Sequence, residues 1–113
     1  MIMYGGQKQE TEEKLKVEAD ALFQAAREAE ALAEEAFSAA LEGDFERAAS
    51  KIKSAREHLE ARNDGLEWAA QHLRYYGRYD ATKMFVLRLP AYESARTLVR
   101  ITAQNISLLK SGR

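Results

Sequence analysis

The chain has 113 residues, with 17 Lys/Arg against 18 Asp/Glu, and it has no cysteine. That length suits one modest core rather than two, and the missing thiols exclude disulfides, thiolate metal sites and cysteine nucleophiles. The longest apolar run, residues 84–87, is far too short to cross a bilayer, so no membrane insertion is expected. Residues 1–9 lack the basic start and apolar stretch of a secretory signal, and the expected compartment is cytoplasmic.

Residues 1–10, with Gly5-Gly6 and polar neighbours, read as a flexible N-terminal tail, and residues 11–113 as a single helical-bundle domain. From Thr11 onward, Leu15, Ala19, Leu22, Ala26, Ala29, Ala33, Ala36 and Ala40 recur at alternating spacings of four and three, which puts all eight on one helical face. Alanine at most of these positions lets a neighbouring helix approach closely, and Phe23, Leu32, Phe37 and Leu41 widen the apolar stripe. Glu12, Glu13, Glu28, Glu30, Glu34 and Glu35 make the other face acidic.

Gly43-Asp44 predicts a helical hairpin, because glycine suits the left-handed residue that closes one helix and aspartate caps the next. The second helix carries Phe45, Ala48, Ile52, Ala55, Leu59, Leu66, Ala69, Leu73 and Tyr76 in the same register, interrupted at Arg62. Asn63-Asp64-Gly65 is a candidate break, but the register runs across it and favours one continuous helix. Gly77-Arg78-Tyr79 should end that helix and Asp80 cap a third, in which Pro90 either kinks the helix or starts it afresh. Met84, Leu87, Ala91, Ala95, Leu98, Thr102 and Leu109 form its expected seam. The predicted fold is all-α, an antiparallel three-helix bundle with long helices, assembling into a trimer or other small homo-oligomer.

Charge is divided along the chain. Residues 1–67 hold sixteen acids against nine bases, a net −7, and residues 68–113 hold two against eight, a net +6. The basic part also carries Trp68, Tyr75, Tyr76, Tyr79, Phe85 and Tyr92. Such a molecule suits a charged partner or a copy of itself. Arg74, Tyr75, Arg78, Arg88, Arg96 and Arg100 are the candidate anion or nucleic-acid residues, since cations interleaved with aromatic rings meet phosphates and stack on bases. The chain's pI of about 6.1 and the use of Tyr and Arg to cover bundle ends give the plainer reading of the same residues.

His58 and His72, the only histidines, are two heptads apart and so roughly 21 Å apart along a regular helix, too far to share a metal. Both read first as solvated or core-edge residues. His72 is the better candidate phosphoacceptor because Arg74 and Arg78 follow it. Glu93 is one of two acids after residue 67, and an ion pair with Arg96 or Arg100 is its plainest role. No nucleophilic triad or phosphate-cradling glycine loop is present, so catalysis is the least supported class.

The segment 36–61, AFSAALEGDFERAASKIKSAREHLEA, resembles the enzyme IIA component of lactose/cellobiose phosphotransferase systems, where a Gly-Asp-Phe-Glu turn joins the first two of three long helices. The resemblance implies a trimer of three-helix protomers, a phosphoryl-accepting histidine on the third helix and an acidic ring that binds a divalent metal ion on the threefold axis. In that family the active segment reads His-Ala-Gln-Asp-His. Here it is matched by Pro90-Ala91-Tyr92-Glu93-Ser94, which lacks the histidine and leaves Glu93 as the metal candidate, only in an oligomer. The expected function is a non-catalytic helical interaction module with the build of a IIA subunit and an unidentified protein partner. A phosphocarrier using His72 and a nucleic-acid-binding bundle using the basic aromatic segment 74–100 are the alternatives.

Overall fold

A computed structural model describes residues 5–73 and 80–112 of the chain. Their regular structure is entirely helical: α1 Gly5–Leu41, α2 Phe45–Glu60, α3 Asn63–Leu73 and α4 Asp80–Ser111. The chain is therefore all-α. Helix α1 starts six residues before Thr11, so residues 5–10 are helix rather than tail. Gln7, Lys8, Gln9 and Glu10 are good helix formers, and the glycine pair stands at the terminus, where the first N–H groups have no intrahelical partner in any case.

All eight seam residues of α1 are buried, none more than 1% exposed. The six alanines among them let α1 take helices on two sides. It packs against α4 and against α2, while α3 continues along α1 and α2 also touches α4. Lys51 meets Glu35 at 3.1 Å and His58 meets Glu28 at 2.9 Å, so α2 descends as α1 ascends. Phe23 lies under Arg88, and Phe37 lies beside Leu98 and Asn105, so α4 ascends with α1. The result is a rod of 64 × 18 × 17 Å.

The turn between α1 and α2 is built as its sequence predicts. Gly43 is the one residue with positive φ among the described residues, at 85°. The Asp44 N–H donates to the Ala39 carbonyl at 2.9 Å and the Gly43 N–H to the Ala40 carbonyl at 3.0 Å, which satisfies two carbonyls left open by the end of α1. Asp44 Oδ1 accepts from the Arg47 N–H at 3.1 Å and caps α2. Gly43→Ala forces a Cβ into a left-handed conformation and is expected to lower stability by about 1–2 kcal/mol, read by thermal or urea unfolding. An unchanged midpoint would show that the turn relaxes without cost.

Sequence periodicity favoured one continuous second helix, and the structure divides it into α2 and α3. The division is slight. Ala61 keeps right-handed helical dihedrals, but the Arg62 N–H reaches the Leu59 carbonyl at 3.1 Å, three residues back, instead of the residue-58 carbonyl. This tightened turn falls where Arg62 interrupts the apolar register, because a guanidinium cannot take a seam position in the core. At Gly65, in the first turn of α3, a Cβ would land on the Glu18 carboxylate, the far end of a flexible side chain that can swing aside.

Helix α4 runs through Pro90 without a new start. The hydrogen bond that Pro90 cannot make would go to the Val86 carbonyl, and both residues are exposed, so water can serve that carbonyl. The buried seam of α4 differs from the expected one. Ala81, Phe85, Tyr92, Ala95, Val99, Thr102 and Ile106 are buried, whereas Leu87 and Leu98, placed in the seam by their spacing, are exposed. Apolar residues cover a wide arc of α4, and only the positions of α1 and α2 decide which part of it becomes core.

Candidate functional site

Tyr92 and Phe85, counted by sequence among the aromatic rings of the basic part, are the two largest fully buried side chains among the described residues. The Tyr92 hydroxyl donates to the Leu59 carbonyl at 2.8 Å, across from α4 to the end of α2. In an uninterrupted helix that carbonyl would accept from the residue-63 N–H; here it takes the Arg62 N–H and the tyrosine hydroxyl. Tyr92 therefore ties the α2–α3 junction to α4. Burial holds its hydroxyl above the ordinary tyrosine value of 10.0, with Arg96 pulling the other way.

The candidate anion residues are dispersed. Arg74, Tyr75 and Arg78 lie outside the described residues, as do Tyr76 and Tyr79. Arg88 lays its guanidinium over the Phe23 ring, 4.5 Å from the centroid, and its buried Nε has no hydrogen-bond partner among the described residues. Arg96 is exposed and pairs with Glu93 at 3.4 Å, the plain role expected of that acid. Arg100 is exposed and shares with Arg96 and Arg56 a cleft between α2 and α4 that also contains Glu60. This brings together two of the predicted cations and one, Arg56, that sequence reasoning missed.

His72 is half-buried. Its Nδ1–H donates to the Trp68 carbonyl at 2.8 Å and its ring stacks on Trp68 with centroids 4.2 Å apart, while Lys14 lies 4.3 Å from the Trp68 ring centroid. His58 is an exposed partner of Glu28. Among the described residues there is no group of three or more His, Asp or Glu side chains that could hold a metal ion, and no helix is long and apolar enough to cross a membrane.

The surface that stands out is a second stripe on α4, beside the buried seam. Leu87, Ala91, Ser94, Leu98, Ile101, Asn105, Leu108 and Gly112 follow one another at spacings of four and three, so they line one side of the helix. Leu87 is 75% exposed, Leu108 71% and Ile101 45%. Pro90, Thr97, Gln104 and Ser111 flank the stripe. None of these twelve residues is charged, in a chain that is 31% charged. A helix face held in water by solvation alone would carry Lys and Glu, as the outer face of α1 does. Depletion of charge is the compositional mark of a contact surface. Phe37 of α1 borders the stripe and extends it past the groove between α1 and α4. The signal was present in the sequence as a run of uncharged heptad positions, hidden because the neighbouring seam is also apolar.

No family model matches the chain, and no curated protein or solved structure is detectably similar to it.

Proposed function

We propose that this protein is a non-catalytic helical interaction module, a three-helix bundle in build, that assembles with copies of itself into a small homo-oligomer. The uncharged, exposed stripe on α4 carries this reading, because four large apolar side chains aligned on one helix face are costly to leave in water. The resemblance of residues 36–61 to a IIA subunit supports a three-helix protomer that works as an assembly. The absence of a histidine from residues 90–94 supports a role without phosphoryl transfer.

The features of the sequence that favour self-association are the alanine seam and the charge polarity between residues 1–67 and 68–113, which implies a charged contact between copies. The stripe points to an apolar contact instead, and the two make opposite forecasts for salt. Light scattering after size exclusion, at low salt and at about 0.5 M, should show an oligomer that persists, since only charge contacts are screened. Ile101→Glu puts a carboxylate into the contact of every copy and should weaken association by at least about tenfold while leaving the helical content unchanged. A wild-type monomer at both salts, or an Ile101→Glu variant that still assembles, would refute the reading.

A further inference from the structure

The stripe on α4 has a property that selects its occupant and its direction. Its spacing reads the same from either end, so a second α4 laid antiparallel across it, with a twofold axis between Leu98 and Ile101, places residues in matched layers. Leu98 then meets Ile101, Ser94 meets Asn105, Ala91 meets Leu108 and Leu87 meets Gly112. Large residues face small ones, the two polar residues face each other, and the branched pair occupies the centre. A parallel pair, or a ring of parallel copies, would stack each residue on itself. Leu108 would crowd Leu108, and Ala91 and Gly112 would face their own copies across gaps.

We infer that a second copy of this chain is the occupant, docked as an antiparallel α4–α4 dimer about Leu98 and Ile101; this rests on the self-association reading above. Gly112 belongs to the helical surface, since its N–H still reaches the Leu108 carbonyl at 3.1 Å. From Leu87 to Gly112 the contact spans 26 residues, about 37 Å of helix, and is one helix diameter of about 10 Å wide. With Phe37 alongside, that is near the low end of specific interfaces, roughly 600 Å² per copy, so the dimer is concentration-dependent. The charged residues that border the stripe are Arg27, Glu30 and Glu34 of α1 and Glu93 of α4, and none of them holds a stripe position.

The absence of cysteine makes the geometry directly testable. Ser94→Cys and Asn105→Cys are exposed-site changes, made in two separate proteins, oxidised alone and as an equal mixture at about 100 µM, in the range of such small interfaces. In the antiparallel dimer, residue 94 lies opposite residue 105 of the other copy. Identical residues are offset by 11 positions, about 16 Å, beyond the reach of a disulfide. The mixture should give the 94–105 cross-link at least about fivefold over either like pair, and each variant alone should give little. Dominant 94–94 or 105–105 links would overturn the antiparallel arrangement while leaving self-association standing. So would an oligomer by light scattering that yields no 94–105 link. A monomer by light scattering, with no link of any kind, would overturn the dimer together with the reading on which it rests.

Discussion

Tyr92→Ala is expected to unfold the protein or bring it to the edge of unfolding, at a cost of about 3–5 kcal/mol for emptying a buried aromatic site. That is a large share of the roughly 5–15 kcal/mol that holds a small domain together. Two losses combine. The ring is among the largest fully buried side chains and packs against both α1 and the α2–α3 arm, so its removal leaves a cavity between helices whose other contacts are mostly alanine. Its hydroxyl also serves the Leu59 carbonyl at the point where α2 gives way to α3. Circular dichroism and urea unfolding measure the loss, and a drop below about 1 kcal/mol would show that neither the cavity nor the junction matters as argued.

Tyr92→Phe separates the two losses, since it keeps the ring and removes only the hydroxyl, at an expected cost of about 1–2 kcal/mol at neutral pH. The same pair of proteins gives a pH test. The Tyr92 hydroxyl is raised above 10.0 chiefly by burial, so the folded state holds the neutral phenol more tightly than the unfolded state does. Its contribution is fully present below the unfolded value and is lost as pH rises through the folded one. The stability gap between wild type and Tyr92→Phe should therefore narrow above pH 10.0 and stay constant below it. A gap that does not change with alkaline pH would refute the assignment.

Ala29→Leu is the second large effect. Ala29 has no exposed surface and sits in the middle of a seam where α1 is packed by helices on two sides. Three extra carbons there push the helices apart or force strained rotamers, at about 1–3 kcal/mol. Ala31→Leu is the control, because Ala31 is exposed on the same helix and its substitution should be nearly neutral. Equal effects at the two positions would mean that the closeness of the helices does not depend on the small seam.

Much of this architecture is written locally. The alternating spacing of eight apolar residues, six of them alanine, defines the buried face of α1, and each of the eight is buried. The capping chemistry of Gly43 and Asp44 sets the hairpin, because a left-handed residue and a carboxylate that accepts a backbone N–H act within one turn of chain. Such features need no distant partner, and so a linear reading finds them. The α2–α3 division is less legible, because an apolar register that continues across Arg62 says nothing about a single carbonyl exchanged between a backbone donor and the hydroxyl of a residue 33 positions away.

The sequence by itself determined that this protein is helical, where α1 turns into α2 and which face of α1 is core, because these depend on periodicity and on contacts within a few residues. Only the tertiary structure decided which of two apolar stripes on α4 lies inside. It brought Tyr92 and Phe85 from an apparent binding surface into the core, laid Arg88 over Phe23, and left Leu87, Leu98, Ile101 and Leu108 facing outward. The physical reason is that burial belongs to pairs of helices. A helix that is apolar around more than half its circumference has more than one face to offer, and the placement of its neighbours settles which one water keeps.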